Sequence, residues 1–318
     1  MKKSFFEKKF SIGLALDSEP EEYENLFLQY GNYIDNLYFS PPLGDRFHGR
    51  TKVAEQFHDK TMTERFWKIL KVAQDYNIYL EVVFNTHLLK MGDLERTKKE
   101  FDQRSLCLNK VCVQDKYYEK AKLIFPKAKI VHSVNCLPDD RRRIIQTSGK
   151  YDEYVVGRQF IRDSDLFCKI QKQGSACVLL LNNGCSHWCG GCRKIQHCRN
   201  TYIKTKKIYT PQEIYAIQSI MPYEIWENMI DTSNVALFKL STRNADVSYI
   251  RMCLESYIDN SALKYIKEST EYYLLWSRLL WLVEEFPHFD YMGIRKFKEY
   301  YNSIVNTKEG DKRWEKWT

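Results

Sequence analysis

Four cysteines crowd into the stretch NNGCSHWCGGCRKIQHC, residues 182–198, with the spacing Cys185-x3-Cys189-x2-Cys192-x5-Cys198. Four thiolates at such intervals can surround one centre if the chain folds back on itself, which Gly184, Gly190 and Gly191 allow. Thiolate is the natural ligand of iron–sulfur clusters and of tetrahedral zinc. Cys185, Cys189, Cys192 and Cys198 are therefore expected to hold a 4Fe–4S cluster, with a structural zinc as the alternative. Disulfides are the less suitable reading. The chain has ten cysteines and no apolar leader after Met1, because Glu7, Lys8 and Lys9 interrupt any such run. That pattern points to a reducing, cytoplasmic setting, where a tight cysteine cluster binds metal. Cys168 and Cys177 are nearby reserve ligands, and Cys107, Cys112, Cys136 and Cys253 read as small buried hydrophobes.

The elements that must position this cluster are legible as apolar runs. Eight of them recur: FSIGLALD from Phe10, NLYFSPP from Asn36, IYLEVVFNT from Ile78, CLNKVCVQD from Cys107, KIVHSVNC from Lys129, EYVVGRQFIRD from Glu153, CVLLLNNGC from Cys177 and VALFKLSTR from Val235. Short continuous apolar cores are the form of strands buried on both faces. Segments with apolar residues at spacings of three and four lie between them, among them EEYENLFLQYGNYID, TERFWKILKVAQDY, YYEKAKLIF and SYIRMCLESYID. Eight strands alternating with helices predict a (β/α)8 TIM-like barrel over residues 1–258. The widest gap runs from Cys177 to Val235, so the connection after strand 7 carries an insertion, residues 185–232, with the cysteines at its start. Residues 259–318 read as a helical C-terminal extension whose aromatic stripe (Tyr265, Tyr272, Trp276) suits packing rather than ligand binding. The stretch YYLLWSRLLWLV is too short to span a bilayer and contains Arg278, so no membrane segment is expected.

Active sites of such barrels lie at the C-terminal ends of the strands. That rule selects Asn85 and His87 after strand 3, Asp115 after strand 4, Ser133 and Asn135 after strand 5, Arg158, Arg162 and Asp163 after strand 6, and Lys239 and Arg243 at strand 8. Asn85, Ser133 and Asn135 would orient a substrate, although residues of these types also cap helices. Arg158, Arg162, Lys239 and Arg243 would favour an anionic group, since arginine can grip a carboxylate or phosphate in two places. Arg162–Asp163 could equally be an ion pair of the barrel rim. The net charge of +8 permits an anionic small molecule or RNA without requiring either. Arg193–Lys207 carries six Lys/Arg, no acid, and Tyr202 for stacking, and Arg141–Arg143 adds a basic run. An RNA-binding or complex subunit with a structural metal is thus a further reading; solvated surface is the plainer account of such runs.

Two family resemblances bear on these residues. The Cys185/Cys189/Cys192 spacing is similar to the triad of radical S-adenosylmethionine enzymes. In that family, however, the triad follows the first strand and an aromatic residue precedes the third cysteine, where this chain has Gly191. The chain as a whole resembles the collagenase-like peptidase superfamily, whose members include oxygen-independent hydroxylases of ubiquinone precursors and RNA bases. The stretches that carry it are VVFN (Val82–Asn85), VVGRQFIRD (Val155–Asp163), LLLNNGC followed by Cys192, and FKLSTR (Phe238–Arg243). The eighth-strand stretch lacks the family's glycine, and Gln159 stands where an acid is frequent. The resemblance implies a four-iron cluster held after strand 7, hydroxylation or related redox chemistry, a prephenate-like oxygen donor, and in some relatives a homologous partner subunit. Peptidase activity is not expected, because the chain shows no Ser/His/Asp arrangement, HExxH motif or paired-carboxylate signature.

Overall fold

The computed structural model describes residues 3–41, 59–84, 89–134, 141–157, 160–182, 220, 222–226, 228, 230–242 and 246–259. Eight parallel strands close on themselves in sequence order: β1 (Phe10–Gly13), β2 (Ile34–Phe39), β3 (Tyr79–Val83), β4 (Leu108–Val113), β5 (Lys129–His132), β6 (Glu153–Val155), β7 (Ala176–Leu180) and β8 (Val235–Leu240). Closure is made by β1 against β8, where Phe10 pairs with Phe238 and Ile12 with Leu240. Every apolar run singled out in the sequence contains or overlaps one of these strands, and the TIM-like barrel expectation holds.

Helices α1 (Pro20–Tyr30), α2 (Lys60–Asp75), α3 (Met91–Gln103), α4 (Tyr118–Ile124), α5 (Arg141–Ser148), α6 (Ser164–Lys172), α7 (Pro222–Trp226) and α8 (Val247–Ile258) lie between and after the strands. Their starts follow from capping chemistry. Asp59, Asp163 and Asp246 each accept a backbone N–H of the first turn of α2, α6 and α8, and Glu19 with Glu22 forms a capping box on α1. The returns to the next strand use left-handed residues, Asn77 after α2, Ser105 after α3 and Gly174 after α6. Helix α1 is shorter than its periodicity suggests. It stops at Tyr30, and Ile34–Asp35 of the expected helix begin β2 instead. At Gly31 a side chain would clash with the Phe27 carbonyl oxygen, and from there the chain turns into the sheet.

Two apolar regions result from strand alternation. The larger lies between sheet and helices, with Phe10, Leu37, Phe39, Leu80, Val111, Phe238 and Leu240 packed on Phe27, Phe66, Leu94, Phe167 and Leu254. The smaller is inside the barrel: Tyr38, Val83, Cys112, Val131, Val155, Val178, Leu180 and Leu237. Polar and charged residues share that interior. Asn36, Glu81, Lys110 and Glu153 are each at most 2% exposed and Lys239 is 7% exposed, where branched apolar residues ordinarily fill such barrels.

The C-terminal extension lies outside the described residues from 260 onward. Among the described residues, no helix is long and apolar enough to cross a membrane.

Candidate functional site at the barrel mouth

Strand direction defines the mouth, and the seventh connection starts there. The chain passes through Leu180 and Leu181 to Asn182, whose carboxamide accepts the Ser241 N–H at 2.6 Å and contacts the Cys253 sulfur at 3.6 Å. Leu181 N–H donates to the Lys239 carbonyl at 3.0 Å, which extends the β7–β8 pairing one step past the strand. Cys185, Cys189, Cys192 and Cys198 lie beyond this point, outside the described residues, as do Asn85, His87, Asn135, Arg158, Arg243 and the basic segment 193–207. Among the described residues no group of three or more His, Cys, Asp or Glu side chains could hold a metal.

Lys239 sits near the mouth end of β8 and points inward. Its Nζ is 2.5 Å from Glu81 Oε1 on β3 and 4.1 Å from the centre of the Tyr38 ring. Burial works against the ammonium, but Glu81, with smaller contributions from Cys112 and Tyr38, overrides it and holds the Lys239 pKa above the ordinary value. Glu81 in turn accepts from Asn36 Nδ2 at 2.7 Å, and Asn36 donates to Ser11 Oγ at 2.9 Å. Lys110 lies deeper, between Asp35 and Glu153, each at 2.7 Å, with Asn36 Oδ1 at 3.5 Å. Burial again opposes its charge, and Glu153, Asp35 and Glu81 together override it, so its pKa is also raised.

Ser133 follows β5 and is buried, with its hydroxyl hydrogen-bonded to the Cys112 thiol. Burial pushes that thiol up to about 12, so Cys112 is protonated near neutral pH. Arg162 makes a bidentate pair with Glu224 of α7, Nε to Oε1 at 2.7 Å and Nη2 to Oε2 at 2.9 Å. Asp163, its neighbour and one candidate partner, instead caps α6 and pairs with Arg141 at 2.7 Å. Arg141 also bonds Asp165, so the first residue of the basic run 141–143 is an ion-pair member between α5 and α6. Asp115 accepts the Tyr151 hydroxyl.

Of the described cation candidates, then, Lys239 and Arg162 each carry a carboxylate of their own. A substrate anion would contact them alongside Glu81 and Glu224 or in exchange for them. Those two carboxylates were not selected by reading strand ends. Glu81 belongs to the strand interior of β3, and Glu224 follows the cysteine segment in the chain. The spare cysteines also separate. Cys177 lies near the start of β7, is fully buried in the sheet–helix layer, and its thiol is pushed up by that burial; most of the strand divides it from the mouth. Cys168 is half-buried on α6. Cys112 and Cys253 are buried as expected, whereas Cys107 is exposed, because it precedes β4 at the far end of the barrel.

No family model matches the sequence, and no curated relative does either. Among solved structures the chain is similar to a U32 peptidase, at 12% identity over 75% of this chain and 94% of that one, with a TM-score of 0.44. It is also similar to a mutant tryptophan synthase α-subunit from the hyperthermophile Pyrococcus furiosus (9% identity, 79% and 92% covered, TM-score 0.41). An HpcH/HpaI aldolase from Desulfitobacterium hafniense gives 7% identity, 81% and 93% covered, and a TM-score of 0.41. At identities this low the likeness says nothing about chemistry. By its own strand pairing, the chain is a closed eight-stranded parallel barrel of the TIM type, with helices packed around it.

Proposed function

We propose that this chain is an iron–sulfur redox enzyme that modifies an anionic substrate, a small molecule or an RNA base, by oxygen-independent hydroxylation or a closely related reaction. The observation that carries the reading is where the chain leaves β7. Leu181 and Asn182 exit at the C-terminal end of a closed parallel barrel, the face that holds active sites in this architecture, and Cys185 follows almost at once.

The donor set suits the cofactor. Cys185, Cys189, Cys192 and Cys198 would supply four soft thiolates to a 4Fe–4S cluster, and the basic residues that follow them offset thiolate charge. When bound, the cluster would supply electron transfer or an electrophilic iron at the mouth. The chain's own residues would then bind and orient. Arg158 and Arg243 are suited to grip a carboxylate or phosphate, as a prephenate-like oxygen donor would offer. Lys239, held by Glu81, would add N–H donors from below, while Asn85, Ser133 and Asn135 would fix the substrate's orientation.

Anaerobic purification followed by iron, sulfide and zinc determination tests this directly. The expected result is about four irons and four sulfides per chain with a broad brown absorption, lost in Cys185→Ala. One zinc per chain with no iron after anaerobic reconstitution would overturn the redox reading and leave a structural clip.

A further inference from the structure

The seventh connection is tied down where it returns as well as where it leaves. Ile220 N–H donates to the Leu181 carbonyl at 2.7 Å, so the chain comes back beside its own exit. The Tyr257 hydroxyl of α8 donates to the Ile220 carbonyl at 2.7 Å, and the Trp226 indole N–H donates to the Tyr257 carbonyl at 2.6 Å. The charged part of this anchorage is Arg162 with Glu224. Arg162 leaves the β6–α6 turn, Glu224 lies on α7 within the connection itself, and both side chains are 4% exposed. Two parallel bonds from a planar guanidinium fix direction as well as distance. Burial of both partners makes the geometry costly to break, because removal of one takes away the other's buried counter-charge.

The pair does not join two strands of the barrel. It joins the rim of β6 to the return leg of the connection that carries Cys185, Cys189, Cys192 and Cys198. We infer that Arg162 and Glu224 are positioning residues that clamp this return leg to the barrel mouth, and so determine how tightly the cysteine segment keeps its metal. The physical reason is entropic. Holding both ends of a segment in place lowers the ordering cost of bringing its ligands together, and a lost anchor returns that cost as faster metal loss. The inference rests on the proposed metal-binding role of the four cysteines, but it assigns Arg162 to the cluster's support rather than to substrate.

The test compares three variants with the wild-type protein purified without oxygen. Arg162→Lys keeps the charge and loses the fork, the reciprocal pair Arg162→Glu with Glu224→Arg restores it, and Asp59→Ala weakens the cap of α2 on another part of the barrel as a control for general destabilisation. The readouts are the rate of metal transfer to a colorimetric chelator and the thermal midpoint. Arg162→Lys is expected to lose metal about tenfold faster, in the range that outer-sphere supports of metal ligands give. Asp59→Ala is expected to lose it at the wild-type rate despite a lowered midpoint, and the reciprocal pair to recover most of the difference. Metal loss from Arg162→Lys at the wild-type rate, or in step with midpoint as in Asp59→Ala, overturns the clamp. If wild-type protein carries no metal at all, the proposed function fails and trypsin still tests the anchorage. Cleavage at Lys194, Lys204, Lys206 or Lys207 faster in Arg162→Lys than in Asp59→Ala supports the clamp; equal rates overturn it.

Discussion

Two inward-facing lysines of the same barrel live in different company. Lys110 stands between Asp35 and Glu153, with Lys129 adding a further cation 3.6 Å from Glu153, at the end of the barrel where the strands begin. Lys239, near the mouth, has a single carboxylate partner, Glu81, and otherwise faces the Tyr38 ring and the Cys112 neighbourhood. The first arrangement is closed, with every charge answered by protein. The second is sparser: one carboxylate on one side of the ammonium and an aromatic ring on another. In this architecture the end where the strands begin serves stability and the end where they finish holds active sites, so the two lysines stand in regions under different demands.

The largest expected effect is at the closed end. Lys110→Met takes the near counter-charge from buried Glu153, leaving it only Lys129 at 3.6 Å, and from half-buried Asp35, and should cost about 3–5 kcal/mol in denaturant unfolding. Lys239→Met takes it from Glu81 alone, which Asn36 still satisfies in part, and should cost clearly less. Equal losses, or a larger one for Lys239, would break the contrast between the two ends.

A second effect separates the barrel interior from the layer outside it. His132 is buried there, stacked on Tyr154 at 4.0 Å and edge-on to Tyr151 at 4.9 Å. Burial depresses its pKa to about 4, with the Asp115 charge pulling weakly the other way. Between that value and its ordinary 6.5 the unfolded chain binds a proton that the native protein does not. Its contribution is therefore complete above pH 6.5 and lost as pH falls toward 4, by about 3 kcal/mol over the whole window. Unfolding followed against pH should show that slope, and His132→Phe should flatten it. A slope unchanged in the variant would assign acid sensitivity to the interior carboxylates instead.

Smaller still is the bond that crosses β1 inside the barrel, from β2 to β8. The Tyr38 hydroxyl donates to the Leu240 carbonyl at 2.7 Å, and Tyr38→Phe should cost about 1 kcal/mol while leaving the ring over Lys239. At the bottom of the scale, Lys98→Ala breaks only the surface pair with Asp102 on α3 and should leave the unfolding midpoint within error.

Much of this was open to reading from residue types. The eight strands were legible because each is a short apolar run, and the closed barrel followed from their alternation with helices. Lys239 was legible as a mouth residue because it lies near the end of the eighth run. Its partner was not. Glu81 sits inside LEVV on β3, far from Lys239 in sequence, and inside a run that otherwise reads as core. Arg162 shows the same limit. Sequence adjacency suggested Asp163, but the α6 cap takes Asp163 toward Arg141, and the guanidinium turns to Glu224.

The sequence by itself determined the strand count, the alternation with helices, the spacing of the four cysteines and their place directly after the seventh strand. These are local properties, carried by periodicity, turn chemistry and ligand type. The tertiary structure alone decided which charges meet: Glu81 with Lys239, Glu153 and Asp35 with Lys110, Glu224 with Arg162. Closure of the barrel brings together side chains from strands and turns that no local pattern relates, and burial then requires each charge to find an opposite one.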